Sequence, residues 1–137
     1  MPHHRHVRRV AALALVLVLL ACSGGDDATG SGLSRCQTDV TLSVSSGMTP
    51  QFTWTPACGA GALFVESVDG SDLWYVEPTV SAGIASGVTY GVVPPDAIED
   101  APALALEAGK TYFVYVAKGS GNSLALAGLK SFSPQEP

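Results

Sequence analysis

All three histidines of the chain, His3, His4 and His6, precede an apolar run, and all three cysteines, Cys22, Cys36 and Cys58, follow it. Histidine and cysteine supply much of the nucleophile activation and transition-metal ligation that proteins use. The fate of that run therefore decides which chemistry remains. Arg5, Arg8 and Arg9 stand ahead of Val10–Leu20, eleven unbroken apolar residues, and no carboxylate occurs before Asp26. A basic head, a short apolar core and a small residue at the cut, Ala21, make a secretory signal peptide. A membrane-spanning helix needs about 20 apolar residues, more than this run supplies. Residues 1–21 are expected to be removed, and every histidine leaves with them. Ser-His-Asp catalysis, Cys-His catalysis and histidine-bound zinc then lack their imidazole. A Ser-Lys or two-carboxylate enzyme stays formally open, but no motif names a substrate. The chain is read as a non-enzyme with no cofactor.

The segment Leu19-Leu20-Ala21-Cys22 resembles the lipobox of bacterial lipoproteins. That resemblance covers only the leader. It implies that Cys22 becomes the acylated first residue of the mature chain, so that the membrane is a partner through lipid. Each buried CH₂ of such palmitate-type chains contributes about 0.8 kcal/mol, and several chains together anchor firmly. Ser23 stands where an acidic residue resembles an inner-membrane retention signal, so the outer membrane is favoured over the inner. The domain is expected to be extracytoplasmic. The competing reading is an ordinary secretory signal with an incidental cysteine.

Charge narrows the partners. Without the leader the chain keeps Arg35, Lys110, Lys118 and Lys130 against twelve acidic residues. A formal charge of about −8 argues against nucleic acid and anionic lipid, both of which need clustered Lys and Arg. Residues 22–35 are rich in Gly, Ser and Asp. They read as a lipidated flexible tether with a root-mean-square span of roughly 20 Å.

Residues 36–134 are expected to form one domain, with 135–137 as a tail, and the pattern is β. Val40–Val44 and Gln51–Thr55 alternate apolar and polar residues. Ala62–Val68, Leu73–Val76, Val88–Val93 and Thr111–Ala117 are further short runs rich in β-branched and aromatic residues, separated by Gly, Pro, Ser and Asp. Ala97–Ala108, interrupted by Pro102, reads as a loop with at most one helical turn. Gly119-Ser120-Gly121-Asn122 predicts a turn before a last strand. About seven antiparallel strands in such a length make an all-β sandwich. An oxidising compartment favours pairing of Cys36 with Cys58. Gly47 lies midway between them, so an antiparallel pair reversing there brings the two together at its far end. The alternative is two free, buried thiols.

Leu106, Gly109, Tyr112, Val114 and Val116 resemble the E–F corner of a fibronectin type III domain, where a Leu and a Gly precede Tyr-x-Val-x-Val. Phe52-Thr53-Trp54-Thr55-Pro56 resembles that family's strand B, and Val65-Glu66 falls where its strand C runs. The resemblance covers about residues 38–133. It implies an immunoglobulin-like sandwich and a tyrosine corner in which the Tyr112 hydroxyl returns to nearby backbone. Two features depart from the family: the cysteine pair, and a long Pro/Gly-rich stretch from Glu77 to Asp100.

Alternation then proposes a face. If Tyr112, Val114 and Val116 point inward, Phe113 and Tyr115 point outward, and inward Leu63 and Val65 leave Phe64 and Glu66 outward. Phe64, Phe113 and Tyr115, extended by Trp74 or Tyr75, are the candidate binding face for an envelope protein or polysaccharide. The bland alternative is that other elements cover these rings. Acidic runs at Asp69–Asp72 and Asp96–Asp100 lack the spacing of a calcium loop and are read as solvated, so no metal is assigned. The functional expectation is a non-catalytic binding or adhesion module, the alternative being a structural spacer with no dedicated ligand.

Overall fold

The computed structural model describes residues 32–137, so the leader, Cys22 and most of the tether lie outside the described residues. Eight strands follow in order: β1 (Thr41–Val44), β2 (Gln51–Thr55), β3 (Ala62–Ser67), β4 (Asp72–Pro78), β5 (Val88–Thr89), β6 (Ala97–Ala101), β7 (Tyr112–Lys118) and β8 (Ala125–Phe132). They make two sheets, β1-β2-β5 and β6-β4-β3-β7-β8, with every pairing antiparallel. The protein is an all-β sandwich.

The period of two that marks the strands in the sequence also builds the core. Phe52 and Trp54 of β2 point inward while Gln51, Thr53 and Thr55 are exposed. From the facing sheet, Leu63 and Val65 of β3 and Val114 and Val116 of β7 are fully buried. Tyr90 and Phe132 set ring edges against Phe52, with centroids 5.5 Å apart for Phe52–Phe132 and 6.5 Å for Phe52–Tyr90, and Tyr112 packs on Phe132 at 5.8 Å. Along one side β1 approaches β8, where the Val40 amide donates to the Ala127 carbonyl at 2.9 Å.

Cys36 and Cys58 form a disulfide with Cα atoms 4.8 Å apart. The β1–β2 ladder runs from Thr41↔Thr55 to Val44↔Phe52, and the hairpin closes through Ser45 and Gln51. The cysteines lie beyond that ladder. Ser34–Cys36 pairs with Gly59 in a parallel bridge, through Cys36 N–H to Gly59 O at 2.8 Å and Gly59 N–H to Ser34 O at 2.7 Å. Gly59 fits there because it has no side chain: a Cβ would run into the Ala82 carbonyl oxygen. The Arg35 guanidinium fastens the same corner by donating to the carbonyls of Ala60, Val80 and Ser81.

Two segments differ from their sequence reading. Ala97–Ala101, expected in a loop, is a strand pairing with β4 from Pro78↔Ala97 to Tyr75↔Ala101. It is an edge strand whose residues are mostly exposed, so neither alternation nor β-propensity marks it, and its backbone pairing decides. Of the expected strand Val88–Val93 only Val88 and Thr89 pair with β2. The Val92 amide then bonds back to the Thr89 carbonyl at 3.0 Å, which turns the chain away and leaves Val92 and Val93 exposed.

Candidate functional site

The outer face of the five-stranded sheet carries a row of rings. The register sets Phe64 of β3 opposite Tyr75 of β4 on one side and opposite Tyr115 of β7 on the other. Leu129 of β8 continues the row beyond Tyr115. The three rings are half-buried, and Leu129 is 49% exposed. Among the described residues no strand packs over this face. Phe113 is also half-buried and lies one position along, opposite Glu66 and Ser131. Beside the row a groove of about 410 Å³ is lined by Phe64, Tyr75, Tyr115, Leu124 and Leu126.

Trp74 does not belong to this face. It is 0% exposed, its ring packs edge-on against Tyr90 at 5.3 Å, and its Nε1–H donates to Glu99 Oε2 at 2.7 Å. Alternation with buried Val76 and pairing with buried Val65 turn it inward, and a β-bulge follows, where Glu66 pairs with Asp72 and Leu73 is the extra residue. Leu73 and Trp74 are then both buried, and Tyr75 takes the outward place. Simple alternation cannot reveal a bulge, and this one adds Leu73 to the core beside Trp74.

The rings are arranged in a specific way. Phe64 and Tyr115 have centroids 4.6 Å apart and planes 6° from parallel. Rings lying flat and side by side cannot approach so closely, so these two stack face to face along the direction between strands. Their separation matches the strand spacing of about 4.8 Å. Tyr75 covers the other side of Phe64, at 5.7 Å and 31°. Solvent therefore meets ring edges and two phenol hydroxyls, and the outer face of Tyr75 has only the small Ala101 opposite it, whereas that of Tyr115 has Leu129.

Carboxylates flank the row. Glu66 and Glu77 alternate with Phe64 and Tyr75 along β3 and β4, and both are half-buried. Burial first, then Glu77, Asp100 and Asp72, pushes the Tyr75 phenol up to about 12. Burial and then Glu66 raise the Tyr115 phenol. Neither ion pair among the described residues reaches this face: Lys110 pairs with Glu107 and Lys118 with Asp39.

Elsewhere the proposed residues have structural work. Tyr112 is buried, and its hydroxyl accepts the Glu107 amide hydrogen at 2.9 Å. Leu106 is buried beside it, and Gly109 takes φ +76°, a region costly for other residues, as its amide donates to Pro134 O. Asp69 accepts hydrogen bonds from the Ser67 hydroxyl and the Ser71 amide, which lower its carboxyl to about 2. It closes the β3–β4 turn. Tyr90, given no role by the sequence, donates its hydroxyl to the Leu104 carbonyl at 2.6 Å, and burial pushes its phenol up to about 12. Tyr90 and Tyr112 thus tie down both ends of the segment between β6 and β7. Comparison with known protein families, curated proteins and solved structures finds no match.

Proposed function

We propose that this chain is a bacterial envelope lipoprotein whose fibronectin type III-like sandwich is a non-catalytic binding module. The leader and Cys22 carry the localisation half of the reading: export, removal of residues 1–21, acylation and attachment to the outer membrane by a short tether. The observation that carries the binding half is the row Tyr75–Phe64–Tyr115, half-buried on a sheet face that no strand among the described residues covers. A spacer has no use for a cross-strand aromatic row in water, where Thr, Lys or Glu fills the same pleat at less risk of aggregation. Lipid holds the module at the surface, and the sheet face meets a second envelope component.

Affinity capture from detergent-solubilised envelope tests this, with the full-length protein as bait and Phe64→Ser/Tyr115→Ser as control. The reading expects a component retained by the parent and lost with the variant. Equal retention by both rejects the face as the binding site. For the anchor, Cys22→Ser is expected to move the protein from the membrane fraction to the soluble one.

A further inference from the structure

The reading above leaves open whether the face takes a sugar or a protein, and the ring geometry with its surrounding charge decides between them. A sugar platform offers ring faces to the flat side of a pyranose. Here Tyr115 and Tyr75 stack on the two faces of Phe64, and the row stands on edge. What remains open is suited to a different ligand. The outer face of Tyr75, with only Ala101 opposite, attracts cations, because an aromatic face carries the negative side of the ring quadrupole. Glu66 and Glu77 stand beside those rings, half-buried and without an ion pair among the described residues, and Asp72 and Asp100 lie close to Tyr75. Lys130 makes no ion pair among the described residues, and it sits on β8 between Leu129 and Ser131, the positions that pair with Tyr115 and Phe113, so it belongs to the opposite side of the strand. The face is thus apolar at its centre and anionic at its border. The groove beside Leu124 and Leu126 adds an apolar recess.

We infer that the ligand of this face is a cationic polypeptide segment, one that sets Lys or Arg side chains against Glu66 and Glu77 and an apolar side chain in the recess between Phe64, Tyr115 and Leu126. This inference rests on the proposed binding role of the face. It names the chemistry of the partner: a basic stretch of another envelope protein rather than a neutral polysaccharide. Complementary charge sets the rate and specificity of such an encounter, and the ring edges with the recess supply the apolar contact.

Calorimetric titration of the full-length protein in detergent tests it with three probes: a short peptide of lysine and serine around one leucine, the same peptide with glutamate for lysine, and a neutral glucan oligosaccharide. The lysine peptide is expected to bind, and to bind more weakly as salt rises. Glu66→Gln/Glu77→Gln is expected to weaken it about five-fold, as the loss of two partly exposed ion pairs implies. Asp96→Asn/Glu136→Gln removes the same charge elsewhere and is expected to leave the affinity unchanged. If that control pair weakens binding as much as Glu66→Gln/Glu77→Gln does, the attraction belongs to net charge and the inference fails. If the glucan or the glutamate peptide binds instead, and Phe64→Ser abolishes it, the inference fails while the binding role stands. If no probe binds and Phe64→Ser/Tyr115→Ser captures the same envelope components as the parent, both fail.

Discussion

Phe64 and Tyr115 stack at 4.6 Å, and that contact is measurable as a coupling energy. Aromatic pairs in such geometry contribute about 0.5–1.5 kcal/mol beyond the area they bury. Each ring also hides apolar surface against the sheet, and fully burying a Phe side chain is worth about 1.5–3 kcal/mol. Because the face is open on one side, truncation leaves no closed cavity, and the cavity term of a core substitution does not apply. Phe64→Ala is therefore expected to cost about 2–3 kcal/mol and Tyr115→Ala about 1.5–2.5. The double variant should cost less than the sum by about 0.5–1.5 kcal/mol, because the stacking energy is lost only once. Urea unfolding reports this through Trp54 and Trp74, both buried in the native state. Phe113→Ala is the control, and its cycle with Phe64→Ala should be additive within about 0.5 kcal/mol. A coupling below about 0.3 kcal/mol between Phe64 and Tyr115 refutes the stacked row. Single costs of 4 kcal/mol or more, in the range of large-to-small core substitutions, refute the open face, since only closed packing loses so much.

Three further outcomes follow from the fold. Replacing Cys36 and Cys58 by Ser opens a loop of 22 residues and should remove about 3 kcal/mol by the chain-entropy estimate, read as a Tm lowered by more than about 10 °C. Gly59→Ala drives a Cβ into the Ala82 carbonyl, which is backbone and has nowhere to go, so a loss of about 3 kcal/mol or more is expected in urea unfolding. The Tyr90 phenol titrates from 10.0 when unfolded but at about 12 when folded, so its contribution is complete below pH 10 and falls as pH rises through 12. Stability measured between pH 9 and about 12 should decline less steeply in Tyr90→Phe than in the parent; identical slopes remove Tyr90 from that transition.

Much of the sandwich is legible in the residues because its central strands are half-buried and alternate cleanly. Gln-Phe-Thr-Trp-Thr at 51–55 becomes β2 with the expected bounds, and the runs at 62–68 and 111–117 become β3 and β7 with shifts of one residue. The cysteine pair is legible from the spacing of Cys36 and Cys58 about Gly47. What escapes the sequence is set by pairing rather than pattern. β6 exists because β4 offers an open edge, not because Ala-Ile-Glu-Asp-Ala prefers to be extended. The bulge at Leu73 is a matter of register with Glu66, and it buries Leu73 beside Trp74. The outward places of Phe64, Phe113 and Tyr115 follow from period two. That Phe64 and Tyr115 face each other does not, because opposition across strands depends on a register that no local stretch encodes. The carboxylates behave alike: Glu66 is visible beside Phe64, whereas the gathering of Glu77, Asp72 and Asp100 around Tyr75 needs the folded sheet.

Photo-crosslinking in intact cells puts the binding face to its most direct trial. A photoreactive phenylalanine analogue at Phe113, within the outer face, is compared with the same analogue at Thr53, exposed on the opposite sheet. A discrete adduct is expected from position 113, reduced in yield by Glu66→Gln/Glu77→Gln, and none from position 53. Adducts from position 53 alone, or equally from both, contradict the binding face.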